Sequence, residues 1–378
     1  MKVAIVHDWL NQWGGAERVL EALHQVYPQA PIFTSLCHAE ALPHPYRQWD
    51  IRPSFMQALP WAKEHHQPFL PFYPLAFSRL NLAGFDVVIS NSSGFCHGVS
   101  VSPGTCHINY CLTPPRFLWS PGQYLKRERV HPLARLALSL AIPALRRWDA
   151  ARSQGVHYFV GISHTVVERI RRCYHREADL IYPPVDTSLF HPLADRGGPF
   201  LIVSRLVPYK RVDLAVQAFN ELGLPLIVIG EGRDRPALEA MAKPNVRFVG
   251  RLPAPAVVEA LARCRAFIFP GEEDFGIAPV EALASGRPVI AYKGGGALDT
   301  VEEGITGRFF YPQTAQALVE VVRAFKEEDF DPWELRRRAL AFDVKAFKDN
   351  VDSYVREKWA QFPARCGVPG AALDSLKR

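Results

Sequence analysis

The sequence predicts an α/β protein built from two doubly wound, Rossmann-like domains in succession. Two observations carry that expectation. Short, continuous apolar runs at 3–7, 85–90, 200–204 and 267–269 alternate with stretches of helical apolar spacing. That order suits parallel strands buried on both faces with helices between them. The alternation breaks at a Pro- and Gly-rich stretch, 183–199, and then restarts. The length of 378 residues suits two cores, and 48% hydrophobic with 22% charged residues is ordinary globular usage.

The net charge of +6 is mildly basic. It suits an anionic ligand or a membrane surface, and no nucleic-acid partner is expected. Seven cysteines include no Cys-x-x-Cys pair. Cys106, His107 and Cys111 lack a second ligand pair at zinc spacing, so they read as strand-core residues of a reducing compartment. The first residues run straight into a strand without a signal-peptide pattern. The longest apolar run, 136–145, contains Pro143 and is too short to span a bilayer. A cytoplasmic protein is expected, with peripheral attachment at the inner face of the membrane as a further expectation.

In chain order, the first strand leads into Gly14-Gly15 and a helix with Val19, Leu20, Leu23 and Val26 on one face. A Gly-Gly loop there lets backbone N–H groups approach a phosphate or sugar, or simply makes a tight turn. The segment 52–80, rich in proline and aromatics, reads as a loop with a short helix. The strand at 85–90 ends in a small polar loop holding Asn91 and His97. After the strand at 107–111, Pro114-Pro115 restrains Arg116, which could meet an anion or make a surface ion pair.

Between 126 and 152, Lys126, Arg127, Arg129, Arg135, Arg146, Arg147 and Arg152 alternate with leucines and Trp148. This is a basic amphipathic helix, either docked on an anionic membrane or packed on the sheet with a solvated face. Ser163 is a helix N-cap, with Glu168 and Arg172 as an i,i+4 pair.

The second alternation places Arg205 and Lys210 in one loop between a strand and a helix. Two cations beside helix-end amides suit a diphosphate. Further on, Gly250-Arg251 closes another strand. The stretch 267–300 then reads as strand, acidic loop, helix, strand and triple-glycine loop. Glu273 lies on the acidic loop, followed by the Phe275-Gly276 turn. Glu281 is placed in the first turn of a helix starting near Pro279. All these loops sit at the carboxyl ends of strands, where open α/β sheets bind ligands. Acids would take sugar and ribose hydroxyls; cations and amides would take phosphates. The only Asp-x-Asp, Asp329-Phe-Asp331, lies in a charged linker and reads as a solvated stretch or a cap, so no metal is expected.

Arg205 and Lys210, Glu273 with seven residues before Glu281, and the Gly-Gly loop together resemble glycosyltransferase family 4. That family comprises retaining enzymes of the GT-B fold, two Rossmann-like domains facing across a cleft. The segments CLTPPRFLW (111–119), IYPPVD (181–186) and SRLVPYKRVD (204–213) resemble its mannosyltransferase-like subset.

The resemblance implies an acceptor-side domain over 1–185 and a nucleotide-sugar domain over 186–345. It also implies a helix at 346–360 crossing back to the first domain, with 361–378 as a tail. It implies that Arg205 and Lys210 bind the donor diphosphate and that Glu273 with Phe275 and Gly276 holds the transferred sugar. Glu281 would bind ribose, Arg251 would lie near the base, and Gly14 and Gly15 would approach donor and acceptor. Arg205, Lys210 and Glu273 would be catalytic. Asn91, His97 and Arg116 would serve the acceptor side, although the family's usual histidine after the 85–90 strand is replaced by Asn91-Ser-Ser.

The implied function is hexose transfer, mannose from GDP-mannose, to a glycan or lipid-linked acceptor in surface polysaccharide synthesis, without a cofactor. The alternatives are a non-catalytic nucleotide-sugar binding protein and a nucleotide-sugar epimerase of the same fold.

Overall fold

The computed structural model describes residues 1–120, 132–193 and 197–362, without the side chains of Gln67 and of 132–140. The chain forms two units. One comprises Met1–Tyr182 and the chain from Phe347 on; the other comprises Pro183–Ala346.

The first unit is built on a seven-stranded parallel sheet. Its strands are β1 (Val3–His7), β2 (Ile32–Thr34), β3 (Ile51–Pro53), β4 (Val87–Ser92), β5 (Cys106–Cys111), β6 (Tyr158–Gly161) and β7 (Ala178–Leu180), in the order β3-β2-β1-β4-β5-β6-β7. Every residue of β1, β4 and β5 is buried, because helices cover both faces. The helices are α1 (Gly15–Val26), α2 (Tyr73–Ser78), α3 (Pro132–Ser153) and α4 (His164–Tyr174). A single helical turn, Arg116–Trp119, precedes α3. Ser163 caps α4 by accepting from Val166 N at 3.2 Å. The ion pair on that helix joins Glu168 to Arg171 at 3.1 Å rather than to Arg172.

The second unit carries six parallel strands: β8 (Phe200–Val203), β9 (Leu226–Ile229), β10 (Val246–Gly250), β11 (Phe267–Phe269), β12 (Val289–Tyr292) and β13 (Gly307–Phe310). They lie in the order β10-β9-β8-β11-β12-β13. Its helices longer than a single turn are α5 (Val212–Leu222), α6 (Arg235–Met241), α7 (Ala254–Arg263), α8 (Ile277–Ala284), α9 (Ala315–Ala324) and α10 (Pro332–Ala339). The last helix, α11 (Val344–Gln361), buries Phe347, Val351 and Val355 at i, i+4 and i+8. Its partners belong to the first unit. Phe347 packs edge-on against Tyr110, Tyr27 donates to Asp352, and Tyr354 donates to Asp179.

In both sheets the chain leaves the central strand in one direction and later resumes on its other side. The reversal falls between β1 and β4 in the first unit and between β8 and β11 in the second. Loops diverge at such points, and a crevice opens at the carboxyl ends of the two strands.

Candidate active site

In the second unit the crevice lies between the loop after β8 and the loop after β11. The first loop closes with a 3-10 turn, Pro208–Lys210, and a left-handed Arg211 at φ 52°. The two loops run so close that a Cβ on Gly271 would stand 2.9 Å from the backbone of Lys210. Lys210 Nζ forms an ion pair with Glu273 across the crevice. Their side chains are only 14% and 21% exposed, which shields the pair from bulk water. Arg205 is exposed, and its Nη2 donates to the Tyr209 hydroxyl at 2.9 Å. Lys210 Nζ lies 5.3 Å from the centre of the Tyr209 ring. Tyr209, not singled out in the sequence, therefore steadies both cations.

The triple-glycine loop backs the acidic loop. Gly296 N donates to Glu273 O at 2.8 Å. A Cβ on Gly295 would come within 2.3 Å of that same oxygen, and one on Gly296 within 2.2 Å of Phe275 Cα. Side chains at 295 and 296 would push the Glu273 loop away. Gly276 takes φ 92° to open α8, and Phe275 is buried against Phe342. The helix begins at Ile277, two residues before Pro279, so Glu281 is its fifth residue and lies in the second turn, not the first. Arg251 is exposed just past the end of β10. Asp331 caps α10 by accepting from Trp333 N at 2.8 Å, and Asp329 faces Arg308 at 3.5 Å. Among the described residues no group of three or more His, Cys, Asp or Glu side chains is placed to hold a metal ion.

Residues 191–340 match the family model for glycosyl transferases group 1. The second unit is a group 1 glycosyl transferase domain. The chain is 42% identical over 114 residues to a GDP-mannose-dependent alpha-mannosyltransferase of Mycolicibacterium smegmatis, covering 29% of this chain and 30% of that protein. A glycogen synthase of Mycobacterium tuberculosis is 33% identical over 159 residues, covering 39% of this chain and 38% of that protein. The matches thus span well under half the length of these curated relatives. Among solved structures, Anabaena HepE in complex with UDP-glucose superposes with a TM-score of 0.71 at 16% identity, covering 94% of this chain and all of that one. At that identity the likeness concerns the fold, which is GT-B.

The crevice of the unit that precedes the group 1 domain is differently furnished. Asp8, directly after β1, is buried, and its carboxylate accepts four backbone N–H bonds. Oδ2 takes Ser93 N and Gly94 N at 2.6 and 2.7 Å, and Oδ1 takes Phe95 N and Cys96 N at 2.7 and 2.8 Å. This is an anion nest filled by the protein itself. An acid immediately after a buried strand was the only signal for it.

Asn91 belongs to β4 rather than to the following loop and is fully buried. Its Nδ2 meets His7 Nδ1 at 3.1 Å and donates to Ala16 O at 3.0 Å. His7 Nε2 lies 3.6 Å from Glu17 Oε1, with both side chains buried. Glu17 sits in the first turn of α1 and reaches back beneath Gly14, whose Cβ would stand 3.5 Å from Glu17 Oε2. The Gly14-Gly15 loop thus rests on a buried His–Glu pair.

His97 is also interior, contrary to its reading as a loop group. Its Nε2 lies 3.3 Å from Asp149 Oδ1, under Trp148 and Tyr174. Burial pushes the Asp149 carboxyl up, opposed by His97 and by bonds from Trp119 and Tyr174. Arg116 opens the turn after Pro115 and is half-buried.

Of the basic stretch, Lys126, Arg127, Arg129 and the Arg135 side chain lie outside the described residues. Arg146 donates to Leu118 O and covers the Trp119 ring, and Arg152 covers Trp148, so these two cations serve packing. Arg147 is exposed. Among the described residues no helix is long and apolar enough to cross a membrane.

Proposed function

We propose that the chain is a retaining hexosyltransferase that moves mannose from GDP-mannose to a glycan or lipid-linked acceptor in surface polysaccharide synthesis. The observation that carries the reading is the Lys210–Glu273 pair across the crevice, with Arg205 on the same loop as Lys210. A leaving nucleoside diphosphate gains negative charge on its β-phosphate. Arg205 and Lys210 are the cations that would meet that charge, in a partly dry site where such contacts count most. Glu273, held in place by the glycine loop behind it, would accept hydroxyl protons of the transferred sugar. Phosphate binding to Lys210 would compete with Glu273 and release its carboxylate toward the sugar. Glu281 on α8 would bind the ribose, and Arg251 would flank the base.

GDP-mannose is supported by the mannosyltransferase relative; the UDP-glucose complex of HepE makes a uridine donor the alternative to test. Gly14 and Gly15 would offer backbone N–H groups to substrate, and exposed cations such as Arg147 would favour an anionic membrane carrying a lipid-linked acceptor.

The test is a panel of GDP-, UDP- and TDP-sugars read by thermal shift, followed by transfer assays. Stabilisation by GDP-mannose, loss of it in Lys210→Ala and Glu281→Ala, and a mannosylated product of retained configuration are expected. Near-normal donor affinity and turnover in both variants would overturn the site. Donor binding with neither transfer nor hydrolysis would make the chain a binding protein. An altered free sugar nucleotide without acceptor would make it an epimerase.

A further inference from the structure

On the far side of the glycine loop, two tyrosines form a ledge. Tyr292 ends β12, and Tyr311 follows β13, the neighbouring strand. Their rings are stacked, with centres 6.4 Å apart and planes 19° apart. Phe310 supports Tyr292 from the interior at 5.9 Å. The Tyr292 ring is held against Gly294, where a Cβ would stand 2.7 Å away. Tyr311 is 72% exposed. A fixed ring left largely in water offers a flat apolar face with a polar tip.

The position of the ledge suggests its use. Along the sheet edge the order is β8, β11, β12, β13. The cationic loop follows β8, Glu273 follows β11, the glycines follow β12, and Tyr311 follows β13. Adjacent strands are about 4.8 Å apart, so the ledge runs from roughly 5 Å beyond the Glu273 strand at Tyr292 to roughly 10 Å at Tyr311. If phosphates lie at β8 and the transferred sugar at β11, the next group along the edge is the molecule that receives the sugar.

The surrounding charge narrows the ligand. Glu272 is exposed beside Gly295, which a Cβ would bring within 3.0 Å of Glu272 Cγ, and Lys293 is exposed next to Tyr292. Burial raises the Tyr292 hydroxyl's pKa, and the charges of Glu272 and Tyr311 add to it, so the phenol stays protonated and able to donate. A carboxylate at the rim disfavours a phosphate. A pyranose fits: its C–H face lies on a ring, and its hydroxyls meet a carboxylate, an ammonium and a phenol.

We propose that the Tyr292–Tyr311 ledge is a saccharide subsite that stacks a neutral pyranose ring of the acceptor. The proposal rests on the glycosyl-transfer reading above and narrows it to acceptors that already carry sugar.

The experiment uses the full chain, isothermal titration and saturation-transfer NMR. The probes are a panel of neutral trisaccharides (mannotriose, maltotriose, cellotriose) and, separately, GDP and UDP. At least one trisaccharide should bind the wild type. Tyr311→Ala should weaken it roughly tenfold, the upper end of a single stacking contact, while Tyr311→Phe retains it. Nucleotide affinity should be equal in all three proteins. Trisaccharide binding unchanged in Tyr311→Ala overturns the subsite, as does a wild type that binds nucleotide but no trisaccharide. A Tyr311→Ala defect confined to nucleotide also overturns it, making the ledge a base platform. Tyr311-dependent trisaccharide binding by a chain that binds no nucleotide sustains the ledge and refutes the donor site instead.

Discussion

The two crevices share one topology and differ in what fills them. After β1 and β4 the anion nest is occupied by Asp8, and His7, Glu17 and Asn91 lie buried below it. After β8 and β11 the loops meet through Lys210 and Glu273, whose side chains keep some exposure, with Arg205 exposed beside them. The first crevice spends its polar groups on its own backbone; the second holds them where a ligand can compete for them. The same strand order therefore yields a buried loop support in one unit and a charged, partly exposed edge in the other.

Asp8→Ala should produce the largest effect. It strands four backbone N–H groups in a buried loop, and unsatisfied buried donors cost about 1–3 kcal/mol each, so a loss of at least about 4 kcal/mol is expected. Urea denaturation measures it; a loss below about 1.5 kcal/mol would mean that water readily replaces the carboxylate and that the crevice is not closed.

Lys210→Ala should behave in the opposite way. Transfer should fall by about 10²–10³-fold, the usual consequence of removing one donor to a developing charge. Stability should change by no more than about 1 kcal/mol, since the pair is partly hydrated. Steady-state kinetics and a melt on the same sample read both quantities. A variant that melts early while turning over normally would assign Lys210 a structural role.

How far the sequence showed this contrast depends on how local each feature is. The long buried strands were legible because an apolar run needs no distant information. The three-residue edge strands β3 and β7 were not, because each is partly exposed and lacks an apolar run. That Arg205, Lys210 and Glu273 share one sheet edge was legible because each lies on a loop just after a readable strand. Asp8 was not, because its partners are amides 85 to 88 residues away. His97 was misplaced for a similar reason: what buries it is Trp148 and Asp149, 51 and 52 residues later on α3. Charge beside a strand end can be read from sequence; whether the fold spends that charge on itself cannot.

The units should also part under acid. Twelve of the thirteen histidines lie in residues 1–182, with only His191 in the second unit. Burial depresses His107 to about 3 and His66 to about 4, and it lowers His24 and His157 too. A histidine with a folded pKa below its unfolded one is held neutral. The unfolded chain then binds protons that the folded chain refuses, so stability is full above about pH 6.5 and falls as pH drops toward the folded value. For a fully buried group such as His107 the slope is about 1.4 kcal/mol per pH unit. Hydrogen exchange followed by mass spectrometry from pH 7 to about 4.5 should show peptides of residues 1–182 losing protection before those of 183–346. Earlier loss in the second unit would contradict the assignment of the acid-labile groups.

The smallest difference lies at two helix ends. Helices α4 and α5 both terminate in a left-handed residue whose N–H bonds back four residues, His175 to Arg171 O at 3.0 Å and Gly223 to Phe219 O at 2.9 Å. The φ values are 55° and 69°. Only glycine takes that conformation without a clash between Cβ and the carbonyl oxygen. His175 therefore carries a strain that Gly223 does not, and a Cβ at Gly223 would meet no neighbouring atom within 4 Å, so backbone conformation alone separates the two positions. His175→Gly should stabilise by about 0.5–1 kcal/mol and Gly223→Ala should destabilise by about 1 kcal/mol, both read as shifts of the urea midpoint at constant slope. Because both sites are remote from either crevice, catalytic rates should not move. Equal and opposite shifts would show that the two units obey the same local rules, leaving the side chains at the strand ends as the source of their different roles.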